Sequence, residues 1–215
     1  MILVGVLLSS LVAAPGAQQQ GAHTGRLFPP SDLGLLDAPD RDLWQRPDLI
    51  MDAMGIAEGA VVADIGAGSG WFTIRLARRV GPQGIVFAED VQQEMIIAIS
   101  RRVSREGFNN VKPVLGTFND PKLRAQSLDA ALMVDSFHEV DAVNRETMLA
   151  NLGKALKPQG RLGIVDFRLD GTGPGPAPEE RVSSDVVIEA AQKAGLKLLR
   201  QEPFLEYQYF LIFGK

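Results

Sequence analysis

The chain has 215 residues, 46% hydrophobic and 22% charged, an ordinary globular composition for one domain with an ample core. Its net charge of −4 supplies no basic field, so duplex nucleic acid is excluded as the main partner. There is no cysteine, and the two histidines, His23 and His138, lie far apart, which excludes disulfides, thiolate metal ligation and a histidine-rich metal site.

Met1 to Ala14 is apolar, interrupted only by Gly5, Ser9 and Ser10, and carries no side-chain charge. The run is short for a membrane span. It has the make-up of a secretory h-region, followed by small residues near Ala13 to Ala17 and then Gln18-Gln19-Gln20. Residues 1–21 are therefore expected to be a signal peptide or an N-terminal anchor, making the protein exported, periplasmic or tethered to a membrane through residues 1–14. It is cytoplasmic if the segment is not a working signal. Gln, Gly, Pro and Asp dominate the next stretch, and residues 22–43 read as a linker leading into a domain over 44–215.

Trp44-Gln45-Arg46-Pro47 precedes a short helical pattern, Asp48 to Met54, ended by Gly55 and Gly59. A buried strand is expected over Ala60 to Ile65, running into Gly66, Gly68 and Gly70. Thr73, Leu76, Ala77 and Val80 then share one helical face. Ile85 to Ala88 is the second strand, with Glu89 and Asp90 at its tip. Met95, Ile96, Ile99 and Val103 stripe a second helix, over Val91 to Glu106. Val111 to Leu115 is the third strand, and Pro113, which cannot donate to a ladder, suits an edge.

Leu128 to Val134 is the fourth strand, and Met148, Leu152, Ala155 and Leu156 come after it at helical spacing. Lys157-Pro158-Gln159-Gly160 turns into a fifth strand, Leu162 to Val165. A Gly- and Pro-rich loop spans Asp170 to Pro178, and Val187, Ala190, Ala191 and Ala194 mark the last helix. The final strands, Leu196 to Arg200 and Tyr207 to Phe213, are separated by a link too short for a parallel crossover, so they pair antiparallel. Alternating strands and helices predict an α/β domain with a mostly parallel sheet.

Ligands in such sheets bind beyond the carboxyl ends of the strands. The glycine run is G-x-G-x-G, and Trp71 stands directly after it, so the G-x-G-x-x-G spacing of dinucleotide-binding turns fails. Asp64-Ile65-Gly66-Ala67-Gly68-Ser69-Gly70 resembles the first motif of class I S-adenosylmethionine (SAM) methyltransferases. The resemblance continues through Val86-Phe87-Ala88-Glu89-Asp90, through Leu128 to Val134, and through Leu156-Lys157-Pro158-Gln159-Gly160-Arg161-Leu162, and covers roughly residues 40–215.

The resemblance implies a Rossmann-like three-layer sandwich. Its seven-stranded, mostly parallel sheet has the order 3-2-1-4-5-7-6 and an antiparallel last strand. It implies SAM as cofactor and transfer of its methyl group to an acceptor, giving S-adenosylhomocysteine. Gly66, Ala67, Gly68 and Gly70 would floor the site. Asp64 would act on the amino-acid end of SAM or only fix the loop. Asp90 would bind the ribose hydroxyls, with Glu89 as its competitor and Val91 beside it. Thr117 and Phe118 would border the adenine, with Asn119 and Asp120 near its amino group. Asp135 and Ser136 would face cofactor and acceptor. His138 is either a general base or a structural hydrogen-bonding residue. Asp166, Phe167 and Arg168 would border the pocket of a small-molecule or lipid acceptor, and Trp44 is either part of a cover or a core aromatic. Arg75, Arg78 and Arg79 read as a solvated face. Two rivals are a nicotinamide-dependent oxidoreductase and a protein that binds SAM or another nucleoside without turnover.

Overall fold

The computed structural model describes residues 27–171 and 173–215. The expected signal segment, residues 1–21, lies outside them. Seven strands form one sheet: β1 (Val61–Ile65), β2 (Ile85–Asp90), β3 (Val111–Leu115), β4 (Leu128–Val134), β5 (Leu156–Phe167), β6 (Lys197–Glu202) and β7 (Gln208–Gly214). The order is β3-β2-β1-β4-β5-β7-β6, with β7 antiparallel to both its neighbours and the pairs among β1 to β5 parallel. β3 is an edge strand, which accommodates Pro113.

Alternation along the strands sends side chains to two helical layers. Val62, Val86, Leu132, Phe210 and Ile212 meet α2 (Pro47–Ala53), α3 (Trp71–Val80) and α4 (Gln93–Glu106). Ala63, Ala131, Met133, Leu211 and Phe213 meet α5 (Ala142–Ala155) and α6 (Ser184–Lys193). Burying each large aliphatic or aromatic side chain stabilises the fold by about 1.5–3 kcal/mol, so these two layers dominate the energetics. Among the described residues no helix is long and apolar enough to cross a membrane.

Three boundaries differ from the sequence reading. β2 runs through Asp90 because β1 and β3 keep pairing with it: Ile65 opposes Glu89, and Leu115 opposes Asp90. Both acids therefore belong to the sheet, and α4 starts only at Gln93, after Asp90 Oδ1 has accepted the Gln92 amide at 2.9 Å. β5 begins at Leu156, absorbing the Lys157–Gly160 turn as an irregularity: Leu128 opposes Leu156, and Ala130 opposes Arg161. The third difference is the expected linker. Pro30–Asp37 forms a 3-10 helix and α1 (Arg41–Gln45) comes next, so residues 27–45 form a strap across the carboxyl end of the sheet.

Gly163 lies in β5 where a Cβ would meet Leu132 Cδ2 at 2.7 Å, Met54 Sδ at 2.7 Å and Phe210 Cε2 at 3.1 Å. Gly163→Ala overpacks that seam, and the expected outcome is a loss of about 1–3 kcal/mol in denaturant-induced unfolding. An unchanged midpoint would show that the seam has slack.

Candidate active site

Strand order reverses between β1 and β4, and a cavity of about 830 Å³ opens there, beyond the ends of β1, β2, β4 and β5. Its floor is the turn after β1. Gly66 has φ +69° and a Cβ there would lie 2.5 Å from Ser136 Cβ. Gly68 has φ +55°, and a Cβ would lie 2.9 Å from Leu36 Cδ1 of the strap. The turn thus needs glycine for its backbone conformation and for lack of room. Its amides are held by β2: Ala67 N donates to Glu89 O at 2.9 Å, and Gly68 N to Asp90 Oδ2 at 2.9 Å.

Three acids at the strand ends, Asp64, Glu89 and Asp90, are buried, and a fourth, Asp135 just beyond β4, is half-buried. Asp64 accepts the Thr73 hydroxyl at 2.6 Å; burial pushes its pKa up to about 6 against that bond and the Arg41 charge. Glu89 is 1% exposed, its Oε1 has no hydrogen-bond partner among the described residues, and burial together with the Asp90 charge raises it to about 8. Burial also raises Asp90, against the Gln92 and Gly68 amides. Asp135 sits at φ +59°, an unusual conformation for a non-glycine residue and one that clusters at functional sites. Burial lifts Asp135 to about 6, against the pull of Arg41.

A closed ring of side-chain hydrogen bonds ties the strap to the sheet. Arg41 donates to Gln45 Oε1 at 3.2–3.3 Å and to Asp135 Oδ2 at 2.8 Å. Gln45 Nε2 donates to Gln208 Oε1 at 2.9 Å, and Gln208 Nε2 donates back to Asp135 Oδ1. Further along the strap, Phe28 O accepts from Gln92 Nε2 at 3.0 Å, and Asp37 accepts from Ser69 Oγ at 2.9 Å and from Arg102 at 2.8 Å.

His138 Nδ1 lies 2.9 Å from Oδ1 of Asp166, which is fully buried and also accepts the His138 and Phe167 amides at 2.9 and 2.8 Å. Burial alone would lower the imidazole, but the charge and hydrogen bond of Asp166, with Glu139 and Asp135, outweigh it and hold the pKa near 9. The pair therefore keeps the imidazole protonated at pH 7, which bears on the reading of His138 as a general base.

The structure brings Asp64, Gly66, Ala67, Gly68, Glu89, Asp90, Val91, Phe118, Asp135, Ser136 and His138 to one cavity. Gly70 and Thr117 stay outside its lining. Gly70 caps α3 at φ +78°, against Ile99 and Arg102, while Thr117 is occupied in a turn, its amide donating to Asp120 O at 2.9 Å. Asn119 and Asp120 are likewise outside it; Asp120 pairs with Lys122 at 2.7 Å. Trp44 lines the cavity, 6.2 Å from the Phe167 ring, whereas Arg168 turns away to the Leu205 and Gln208 carbonyls. Arg75, Arg78 and Arg79 are paired rather than merely solvated: Arg75 stacks 3.5 Å over Trp71 and bonds Asp42, Arg79 bonds Asp52, and Arg78 bonds Glu106. Sequence reasoning missed Arg41 and the strap residues before it, whose only signal is Arg41 one turn ahead of Gln45 on a short helix.

A methyltransferase-domain family model matches residues 62–160. A ubiquinone/menaquinone biosynthesis C-methyltransferase from Pasteurella multocida is 30% identical over 130 residues, 58% of this chain and 46% of the relative. A nocamycin O-methyltransferase from Saccharothrix syringae is 30% identical over 135 residues, 61% of this chain and 44% of the relative. The crystal structure of a SAM-dependent methyltransferase from Aquifex aeolicus matches with a TM-score of 0.82 at 30% identity, covering 87% of this chain and 98% of that one. The chain therefore belongs to the class I SAM-dependent methyltransferases. It spans about half the length of the curated relatives it matches.

The residues present fit SAM. The cavity is of ligand size, its glycine floor admits no Cβ, and one buried carboxyl oxygen, Glu89 Oε1, is left without a protein partner among the described residues. Buried acids suit a ligand whose net charge is positive.

Two outcomes are expected. Gly66→Ala forces a side chain into Ser136, and SAM affinity measured by titration calorimetry should fall by about tenfold or more, roughly 1.4 kcal/mol. The His138–Asp166 pair raises a folded-state pKa above the unfolded value of 6.5, so its stabilisation is complete below pH 6.5 and is lost as pH rises through about 9. The melting-temperature gap between wild type and His138→Gln should be widest at pH 6 and close by pH 10; a gap that widens with pH would refute the pairing.

Proposed function

We propose that the protein transfers the methyl group of SAM to a small-molecule or lipid acceptor, in line, releasing S-adenosylhomocysteine. The observation that carries this reading is the joining of glycine turn, buried acids and His138 in one cavity roofed by the strap. When bound, SAM supplies a methyl group on a cationic sulfur.

Asp90 is the ribose ligand: its oxygens accept the Gly68 and Gln92 amides at 2.9 Å, the Val91 amide also bonds it, and a carboxylate has acceptor capacity beyond these for a hydroxyl. Val91 and Phe118 supply apolar walls for the adenine. The Leu36 side chain over Gly68 excludes water from the turn. Trp44 and Phe167 flank the acceptor side with His138, whose ring meets Phe167 edge-on at 6.4 Å. Asp166 fixes Nδ1, which leaves Nε2 to meet the acceptor. As imidazolium, His138 donates a hydrogen bond that orients an acceptor oxygen. A cationic ligand in the same cavity lowers its pKa towards the range where it takes up a proton, because like charges disfavour the charged form. Positioning and desolvation supply the rest of the rate.

The test is calorimetric titration of the full chain with SAM and S-adenosylhomocysteine, with Asp90→Asn as control. Binding in the micromolar range, weakened about tenfold or more in the variant, is expected from the loss of a charge-assisted hydrogen bond. No binding by folded wild type would overturn the reading. Methyl-labelled SAM incubated with a lipid and metabolite extract then reports the acceptor, as label moving into a new product.

A further inference from the structure

We propose that Arg181 sets the fit of the acceptor, by holding the backbone of residues 173–176 against the ring of Phe167. This rests on the transfer reading above. It makes Arg181 a positioning residue: its side chain stands outside the cavity lining, whereas Phe167, Pro174, Gly175 and Pro176 form part of it. The stretch is poor in donors of its own. Pro174, Pro176 and Pro178 have no N–H, so they bring carbonyls without amides. Arg181, which is buried, supplies the donors: Nη2 bonds Pro174 O at 3.3 Å, Nε bonds Pro176 O at 3.0 Å and Nη1 bonds Arg168 O at 2.8 Å. A guanidinium is a planar fork of five N–H groups, so one side chain fixes all three carbonyls at once. Its footing is fixed in turn. Tyr209 Oη donates to Val182 O at 3.0 Å, and the Arg168 amide donates to Tyr207 O at 3.0 Å, which ties both ends of the loop to β7 and the residue before it.

What the fork holds in place is a wall. Gly175 has φ +106°, and a Cβ there would lie 2.6–2.7 Å from Cγ, Cδ1 and Cε1 of Phe167, so bare backbone rests on the ring. The Arg181 guanidinium lies 5.4 Å from the centre of the same ring, within cation–π range. Trp44 meets that ring from the strap at 6.2 Å, and His138 meets it edge-on at 6.4 Å. Phe167 is thus enclosed by the strap, the segment after β4, the 173–176 backbone and Arg181. A shift of that backbone moves the ring, and with it the space beside Trp44 and His138 where an acceptor would stand. Asp64 and Asp90 lie at the ends of β1 and β2, whereas Phe167 ends β5, two strands from β1 in the sheet. The acceptor wall can therefore change while the cofactor floor stays as it is.

The experiment gives the full chain saturating methyl-labelled SAM and a dilution series of a lipid and metabolite extract, and counts label in the main product. It yields a half-saturating amount of extract and a maximal rate. Arg181→Gln and Gly175→Ala disturb the wall from its two sides. Each is expected to raise the half-saturating amount about tenfold, with the maximal rate within about threefold and calorimetric SAM affinity within about twofold of wild type. An unchanged half-saturating amount in either folded variant overturns the proposal and leaves the transfer reading intact. A variant that loses SAM affinity, or loses maximal rate alone, also overturns it, since that is what general damage to the fold would give. Should Arg181→Gln not fold, Gly175→Ala decides alone. No labelled product from wild type overturns the transfer reading and this proposal with it.

Discussion

The turn that leaves β1 cannot hold its own shape. It is the neighbouring strand that satisfies its amides: Glu89 through its carbonyl, Asp90 through its carboxylate. Much of the site depends on that arrangement. It aims α3, placing Trp71 under Arg41, and leaves a bare backbone surface on which Leu36 rests. It also explains why β2 must extend to Asp90: a strand ending at Ala88 would leave the turn without its acceptors. The carboxylate that grips the turn is the same one proposed for the ribose, so floor and cofactor would share a ligand.

Concentrating acids in this way leaves the cavity electrostatically tense. Asp64, Glu89, Asp135 and Glu139 are all lifted by burial, into a range from about 6 to about 8, against a usual carboxylate value near 4. Each would ionise more readily beside a positive ligand. The strap adds the opposite sign at one point, and the ring through Gln45, Gln208 and Asp135 keeps that charge hydrogen-bonded in the interior. Among the described residues lining the cavity, Arg41 is the one guanidinium, and it stands among many carboxylates.

Most of the sheet was legible in the sequence because its signals are local. Apolar runs flanked by glycine gave the strands, Pro113 gave an edge, and the short link before Tyr207 gave the antiparallel pair. The glycine turn and Asp90 were legible for the same reason. The strap was not: a 3-10 helix with Gly34 inside it and no buried residue has no amphipathic period to detect. Arg41 was hidden because its partners are remote: Asp135 lies 94 positions away, and Gln208 lies 163 positions from the Gln45 that links it to Arg41. His138 was legible as a residue of the site but not as a titrating group. Its pKa is set by Asp166, 28 positions later, whose burial no local pattern reports.

The direction of β7 has a practical side. Because this strand runs against its neighbours, it begins at the cavity, with Gln208 next to Asp135, and ends at the far edge of the sheet, where Phe213 opposes Leu162 at the start of the regular pairing of β5. Lys215 is thus carried to the face opposite the site, where its ammonium meets the Leu156 carbonyl. A reporter or surface linkage joined there would leave the cavity mouth clear, whereas one joined just ahead of Leu27 would crowd the strap that roofs it.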